Sequence, residues 1–185
     1  MEHYEPLLRS DWAIYRGGSI LLEGSENCRI QDCNFYNLGG NAIFFSKYNY
    51  QSSVISCHLS QIGASGICFA GDPEAVRSPS FRYEESIAIP QIDRTPGSKT
   101  DNYPIECLVY DNLIHHIGLY EKQVAGVQLS MCSSITISHN SIYHTPRAGI
   151  NISEGTWGGH VIEYNDVFDT VRETGDHGSF NSWGR

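Results

Sequence analysis

Residues 126–152 read GVQLSMCSSITISHNSIYHTPRAGINI and hold one full period of the repeat that decides the fold. The repeat opens with Gly or Ala, an apolar residue, any residue and a second apolar residue, as in GVQL and GINI. This unit begins at Gly18, Ala42, Gly66, Gly126, Gly149 and, in a weaker form, at Gly178. Successive starts are separated by 24, 24, 60, 23 and 29 residues, so the long gap holds one period plus an insert. Such periods are typical of stacked repeat architectures.

A second segment repeats in step with the first and contains the patterns CRIQDCNF, SVISCHL, CLVYDNLI, ITISHNSI and VIEYNDVF. Aligning them gives one column of Cys33, Cys57, Asn112, Asn140 and Asn165, and another of Phe35, Leu59, Ile114, Ile142 and Val167. The alternation predicts two short strands in each repeat, divided by Gly, Asn and Ser turns. Because no helical pattern lies between the strands, βαβ packing is excluded.

These features predict an all-β fold, a parallel β-helix (solenoid) of about six coils with one long inserted loop. Each strand pairs with its equivalent one turn later, so that like side chains stack. Stacked Asn amides can bond neighbouring backbone groups, and Asn tolerates the left-handed conformation that bends need. We expect one β-helix domain over residues 1–185, with a lead-in over about 1–16, the insert over about 70–104 and a final coil incomplete at 185.

Composition and net charge limit the classes of molecule that this chain can be expected to bind. The chain has 185 residues, of which 40% are apolar, and no apolar run is long enough to cross a membrane. Its net charge of −9 argues against nucleic acid as a partner and opposes strongly anionic ligands.

The six cysteines show no CxxC spacing, so a zinc site is not expected. Cys33 and Cys57 are predicted axial neighbours. A disulfide between them is geometrically conceivable, but we expect buried, unpaired thiols.

The insert opens with Gly71, Asp72 and Pro73, where Asp as N-cap and Pro at the first helical position predict a short helix. Long excursions from a rigid scaffold often build the wall of a binding site. A solvated decoration is the equally weighted alternative.

A candidate binding face follows the first strand of each repeat. With Ile43, Ile67, Val127 and Ile150 inward, the outward column is aligned as Ile20, Phe44, Cys68, Gln128, Asn151 and Phe180. Gln128, Asn151 and Glu154 are therefore expected to share an exposed face with Phe180 and Trp183. Amide, carboxylate and aromatic groups suit a sugar, which offers hydroxyls and apolar ring faces. An ordinary solvated sheet face is the alternative.

The densest group of reactive residue types spans residues 172–177, RETGDH, and is followed by Asn181, Trp183 and Arg185. Glycosidases need two carboxyl groups, and Asp176 is a candidate for one of them. A hydrogen bond from His177 would orient Asp176, and a protonated ring would keep it ionised. Glu173 lies in the same turn. The alternative is a tight structural turn before Gly178.

A further polar column contains Asn37, Gln61, His116, His144 and Asp169. Stacked His116 and His144 are close enough to share a ligand, but no third ligand is defined. We interpret them as surface or turn histidines, and expect neither a metal nor a cofactor.

In this register the chain resembles the pectin-lyase-like right-handed parallel β-helix superfamily over residues 16–185. The stretch EGTWGGHVIEYNDVFDTVRETGDHGSFNSWGR, residues 154–185, resembles bacterial β-helix carbohydrate-active proteins related to glycoside hydrolases with α-fucosidase or xylanase activity. The resemblance marks six active-face candidates: Glu154, Asp176, His177, Asn181, Trp183 and Arg185. Polygalacturonases of this fold carry adjacent Asp residues and a GHG motif, which GDHG matches only loosely.

The resemblance implies part of a glycoside hydrolase that acts on plant-cell-wall polysaccharide through paired carboxylates, with Asp176, Glu154 and His177 as catalytic candidates. Gln128, Asn151, Glu173, Asn181, Trp183 and Arg185 are the substrate-binding candidates. The second carboxylate is expected beyond Arg185, which would leave this chain alone weakly active or inert. The alternatives are a non-catalytic glycan-binding or structural β-helix module and, third, a polysaccharide lyase. Relatives of this kind are exported, so an extracellular or periplasmic location is expected, although residues 1–12 do not form a signal-peptide pattern.

Overall fold

The computed structural model describes residues 4–6, 13–79, 86–153, 157–175 and 177–182. Its strands are β1 (Tyr4–Pro6), β2 (Ala13–Tyr15), β3 (Ile20–Glu26), β4 (Arg29–Gln31), β5 (Asn34–Leu38), β6 (Ile43–Tyr50), β7 (Ser53–Ile55), β8 (His58–Ile62), β9 (Ile67–Ala70), β10 (Pro104–Ile105), β11 (Leu108–Tyr110), β12 (Leu113–His115), β13 (Ala125–Ser130), β14 (Thr136–Ser138), β15 (Ser141–Tyr143), β16 (Ala148–Ile152), β17 (Val161–Glu163), β18 (Asp166–Phe168) and β19 (Phe180–Ser182). Two single-turn 3-10 helices, Pro73–Ala75 and Ile89–Gln91, lie in the insert.

The strands form three parallel sheets around a common interior, and the predicted all-β parallel β-helix is confirmed. Sheet 1 contains β3, β6, β9, β10, β13, β16 and β19. Sheet 2 contains β4, β7, β11, β14 and β17, and sheet 3 contains β5, β8, β12, β15 and β18. Within each sheet, a strand pairs in register with its equivalent in the next coil. The two-stranded pair β1–β2 is antiparallel.

Each complete coil carries three strands, so the prediction of two was wrong. The second repeated segment bends at its centre, where one residue adopts a left-handed conformation and divides sheet 2 from sheet 3. These corner residues are Asp32, Ser56, Asp111, His139 and Tyr164, with φ values of 54, 50, 56, 59 and 54°. A bend of this kind turns the chain from one sheet to the next within one residue, and the alternation of side chains then restarts.

The polar column is a second row of bends within one residue of the ends of the sheet 3 strands, and its members are Asn37, Gln61, His116, His144 and Asp169. These residues also have positive φ, between 47 and 56°. His116 and His144 are therefore turn histidines, as interpreted from the sequence.

An amide ladder lies inside the first row of corners, as predicted from the Asn column. Asn112 donates from Nδ2 to Asn140 Oδ1, and Asn140 donates to Asn165 Oδ1, each over 2.9 Å. The same oxygens accept the backbone N–H groups of Asn112 and Asn140. The left-handed residue is the one before each Asn, so Asn supplies hydrogen bonds to the bend rather than its backbone conformation.

The core is built from like residues stacked along the axis. The predicted column of Phe35, Leu59, Ile114, Ile142 and Val167 points inward from sheet 3 and is confirmed. Phe45 and Phe69 stack inside sheet 1, with ring centroids 4.5 Å apart.

The glycine of the repeat unit fills the corner where sheet 1 begins. A Cβ on Gly126 would lie 2.6 Å from Ile142 Cγ2 and 2.7 Å from the carbonyl oxygen of Gly149. A Cβ on Gly149 would lie 2.4 Å from Val167 Cγ1. The repeat therefore requires a residue without a side chain at these positions because adjacent coils and sheet 3 leave no room.

The insert interrupts a strand of the third coil rather than joining the third coil to the fourth. Ser46 of β6 pairs with Ala70 at the end of β9, while Asn49 and Tyr50 of the same strand pair with β10. The chain thus leaves sheet 1 after Ala70 and rejoins the same level at Pro104. The predicted short helix at its start is confirmed: Asp72 Oδ1 accepts the Glu74 N–H, and Pro73 is the first helical residue.

All six cysteines are unpaired, in agreement with the expectation. Cys33 is exposed rather than buried, because no coil covers it on one side along the described chain. None of the helices in the described part of the chain has the length and apolarity needed to span a membrane.

Candidate functional site on the outer face of sheet 1

The outer face of sheet 1 changes from apolar to polar along the axis. Its central column, in observed register, is Leu21, Phe44, Cys68, Gln128, Asn151 and Asn181. The sequence alignment placed Ile20 and Phe180 in this column, and both placements were wrong. Ile20 pairs with the inward Ile43, and Phe180 pairs with the inward Ile150. The final coil begins at Ser179, whose carbonyl oxygen accepts the Gly149 and Ile150 N–H groups, and not at Gly178.

The three amides of this column form a second ladder, which we call the outer amide row: Gln128, Asn151 and Asn181. Asn181 Nδ2 donates to Asn151 Oδ1 over 2.6 Å, and Asn151 Nδ2 donates to Gln128 Oε1 over 2.8 Å. Ser153 Oγ accepts from Gln128 Nε2 and Asn151 Nδ2. These bonds fix the orientation of all three amides.

Gln128 and Asn151 are buried, with 2% and 0% of their surface exposed, so the expectation of an exposed face was wrong for both. Only Asn181 of the outer amide row is partly accessible. A second apolar cluster covers the outer face, and its buried members are Phe44, Cys68, Ala70, Ala125, Met131 and Ala148. Val76 of the insert and Trp157 pack against that cluster.

The insert contributes the described cover of the face. Its 3-10 helix buries Ala75, and Tyr103 contacts the Trp157 ring with centroids 4.0 Å apart. Arg77 ties the insert together: its guanidinium donates to Asp93 Oδ2 over 2.8 Å and to the carbonyl oxygens of Gly97 and Ser98. Hydrogen bonds from Thr95 and then Arg77 lower the pKa of Asp93 to about 2. The insert is therefore packed against the outer face at its two ends. This packing favours the prediction that the insert forms the wall of a binding site over the alternative of a solvated surface loop.

A buried arginine lies at the start of β16. Arg147 is only 1% exposed, and its Nη2 contacts Nε2 of His177. A guanidinium has donors only, so His177 Nε2 is the acceptor and Nδ1 carries the ring proton. The predicted hydrogen bond from His177 to Asp176 stays a prediction, because Asp176 lies outside the described residues.

The RETGDH group is divided between two sides of the coil. Glu173 forms an ion pair with Lys122 over 2.9 Å, and Lys122 also donates to the Gly118 carbonyl oxygen. Arg172 bonds Asp169 Oδ2 over 2.7 Å, on the sheet 3 side. His177 instead contacts Arg147, just before β16. Glu173 is therefore held at the corner, and no described contact joins it to the outer amide row.

The remaining sequence candidates, Glu154, Asp176, Trp183 and Arg185, lie outside the described residues. Their roles stay predictions. In sequence, Glu154 follows β16, Asp176 precedes His177, and Trp183 and Arg185 follow β19.

The sequence interpretation missed Arg147 and Ser153. Ala148 pairs with Ala125, so Arg147 occupies the position that Val124 has one coil earlier. Val124 packs in the inner core. A charged residue in place of an apolar one within an otherwise regular column is the signal that identifies Arg147.

The fold and this face define an all-β parallel β-helix with a covered polar row at one end of sheet 1. No family model and no curated protein matches the chain. A solved structure described as "Glycoside hydrolase" is similar to it, with a TM-score of 0.64 and 11% sequence identity. The similarity covers 97% of this chain and 31% of that structure, so the chain spans about a third of its length. At this identity the likeness establishes a shared fold.

Proposed function

We propose that this chain forms part of a carbohydrate-active protein, a glycoside hydrolase acting on plant-cell-wall polysaccharide, with the outer face of sheet 1 as its active face. The observation that carries the proposal is the contact between buried Arg147 and His177, directly beside Asp176. A buried guanidinium is costly unless it has partners. The fold shared with a glycoside hydrolase structure supports the same reading.

In this proposal, Asp176 or Glu154 is one carboxylate of the pair. One carboxyl group protonates the leaving glycosidic oxygen, and the other attacks the sugar or activates water. Arg147 fixes the His177 ring through Nε2, and the ring thereby restrains the backbone next to Asp176.

The outer amide row has a positioning role for its two buried members. Asn181 donates Nδ2 to Asn151 and so keeps its Oδ1 as an acceptor for a sugar hydroxyl. Gln128 and Asn151 act through Asn181, because neither has exposed surface for a ligand. Trp183 and Arg185, which follow β19 in sequence, remain substrate-binding candidates of this proposal.

The test is turnover of fucosylated and xylan-type oligosaccharides, followed by the release of reducing ends. Asp176→Asn is expected to lower the rate by about 100-fold to 10,000-fold, the usual contribution of a general acid or base. Asp166→Asn is the matched control, since Asp166 is exposed on sheet 3. Equal turnover by the wild-type protein and Asp176→Asn would refute the catalytic assignment.

A non-catalytic glycan-binding module is the second candidate, and the saturated hydrogen bonding of Gln128 and Asn151 favours it. Oligosaccharide binding without turnover, weakened by Asn181→Ala, would support this module. Unsaturated products that absorb in the ultraviolet would identify a lyase instead. Absence of both binding and turnover would reject a carbohydrate role for the face.

A further inference from the structure

Four histidines form a continuous row of contacts on sheet 3 and its corner, away from the outer face of sheet 1. We call them the histidine row: His58, His115, His116 and His144. His58 begins β8 and His115 ends β12, where Leu113 pairs with His58 and His115 pairs with Ser60. The two side chains are therefore diagonal neighbours on the same outward side of adjacent strands. All four histidines are partly exposed, so small solutes can reach the row.

Two nitrogen-to-nitrogen contacts link the first three rings. His58 Nε2 lies 2.8 Å from His115 Nε2, and His115 Nδ1 lies 2.7 Å from His116 Nδ1. A neutral imidazole has one N–H and one lone pair, so His115 cannot donate at both contacts. When His115 donates from Nδ1 to His116, its Nε2 lone pair points at Nε2 of His58.

Stacking holds two of these rings, His115 and His116, in place. The His115 ring stacks on Tyr143, with centroids 4.8 Å apart and planes at 15°. Tyr143 in turn stacks on Phe168 at 4.9 Å. His116 stacks on His144 with centroids 3.8 Å apart. Stacking thus fixes the orientation of the His115 and His116 rings, whereas the His58 ring makes a tilted contact with His115, with centroids 5.0 Å apart.

We propose that His58 and His115 bind one late divalent transition-metal ion, such as Zn²⁺, Ni²⁺ or Cu²⁺, through their two Nε2 atoms. Imidazole is a preferred ligand for these ions, and Zn–N distances are about 2.0–2.1 Å. Two nitrogens at that distance from one tetrahedral ion lie roughly 3.3 Å apart, so the observed contact needs to widen by only about 0.5 Å. The His115 Nδ1–H bond to His116 supplies the outer partner that metal-bound histidines usually have.

The site differs from the pair that the sequence suggested. The planes of His116 and His144 are within 13° of parallel. Since imidazole lone pairs lie in the ring plane, the lone pairs of two face-to-face rings do not converge on one ion. In the described part of the chain, no group of three or more His, Cys, Asp or Glu side chains is arranged to hold a metal. The proposed site therefore has two protein ligands, with water completing the coordination, and is open to exchange.

The first experiment is calorimetric titration of the tag-free, metal-stripped protein with Zn²⁺ alone. One ion is expected to bind per chain. His58→Ala and His115→Gln are each expected to weaken binding by at least about tenfold, the smallest loss seen when even an outer partner is removed. His116→Phe keeps an aromatic ring but removes the acceptor for His115 Nδ1–H, and is expected to weaken binding about tenfold.

His139→Ala is the matched control, because His139 is exposed and packs between Tyr110 and Tyr164 outside the row. It is expected to leave the affinity unchanged. Binding that survives in both His58→Ala and His115→Gln would overturn the proposal. So would the lack of any saturable binding by the wild-type protein.

A second measurement requires no substitution and so does not depend on the variants folding. Addition of substoichiometric Cu²⁺ should broaden the imidazole C–H resonances of His58 and His115 first, and those of His116 next. Equal broadening of His139 and His160 would show that the ion has no preference for the row, and would also refute the site.

Discussion

The Asn140 side chain takes part in five hydrogen bonds, which link it to neighbouring coils or to the backbone of its own bend. Its Oδ1 accepts from the backbone N–H and Nδ2 of Asn112, and its Nδ2 donates to Val109, Ser138 and Asn165. Asn140→Ala leaves the buried N–H of Asn112 without its acceptor. We expect a loss of about 2 kcal/mol or more in the free energy of unfolding.

Urea denaturation measures this loss, with Asn34→Ala as the control because Asn34 is exposed. The control is expected to change stability by less than about 0.5 kcal/mol. If the two variants unfolded at the same urea concentration, the ladder would be incidental to stability.

His160 ties the protein's stability to pH. Its Nδ1 accepts the Ile135 N–H over 3.1 Å, and burial lowers the pKa of the imidazole below its usual value. The unfolded chain, with a His pKa near ~6.5, then binds more protons than the folded one as the pH falls. The stability contributed by neutral His160 is therefore complete above about pH 6.5 and decreases below it.

The check compares the wild-type protein with His160→Asn in urea at several values between pH 7.5 and pH 5. Asn offers an oxygen to Ile135 N–H but does not titrate. The wild-type protein should lose stability relative to His160→Asn as the pH falls. A constant difference across the range would contradict the assignment.

Single residues show why the site was harder to predict than the fold. Asn112, Asn140 and Asn165 recur at equivalent positions. A polar residue repeated at a bend predicts stacked side chains that hydrogen-bond to one another and to the backbone. Arg147 replaces Val124 of the preceding coil and lies one coil before His177 at the equivalent position, because Ile150 pairs with Phe180. The sequence alignment was one residue out of register in the last coil, so it did not bring these two side chains together.

Within one strand, Gly126 sets how closely sheet 1 approaches sheet 3. Gly126→Ala forces its Cβ against Ile142 Cγ2 and the Gly149 carbonyl oxygen. Overpacking of this kind costs about 1–3 kcal/mol. The midpoint of urea unfolding is the measurement.

Gly39→Ala provides the comparison, since a Cβ at Gly39 has no atom within 4 Å. It should be neutral or slightly stabilising, because Ala restricts the unfolded chain. Similar midpoints for both variants would mean that the corner can relax.

Strand register explains the errors at the two ends of sheet 1. The middle coils start with Gly66, Gly126 and Gly149, and the sequence identifies them correctly. The outer coils contain Gly18 and Gly178, one position before the true equivalents Ser19 and Ser179. Because side chains alternate along a strand, this shift of one residue reversed the predicted directions of Ile20 and Phe180.

Across the whole molecule, the cysteines report how much of the β-helix is closed to solvent. Cys33 is exposed and Cys28 partly so, whereas the other four are buried. Burial raises the pKa of Cys68 to about 12 and that of Cys107 to about 11, and it also raises the pKa of Cys132. Since the thiolate is the reactive form, these thiols should be inert in the native state.

Ellman's reagent should therefore modify one or two thiols in the native protein and all six in denaturant. Rapid reaction of more than two thiols without denaturant would show that the coils open readily. The Cys33→Ser variant should lose the fastest phase.

The burial of the outer face could be predicted only by knowing where the insert packs. Periodicity fixes a parallel stack because every coil repeats the same contacts. The insert repeats nothing, and Val76 and Tyr103 reach the sheet through contacts that are distant in sequence and irregular. The β-helix could therefore be predicted from the sequence, whereas the packing of the insert on the outer face of sheet 1 could not.

The inter-coil hydrogen bonds, including those of the amide ladder, run along the axis of the helix. A force applied along that axis loads them in tension and separates coils one after another, whereas a force along the strands must shear many bonds together. The molecule should thus be mechanically anisotropic. Ala125 and its partner Ala148 are 23 residues apart, so each coil released in an optical trap should lengthen the tether by about 80 Å.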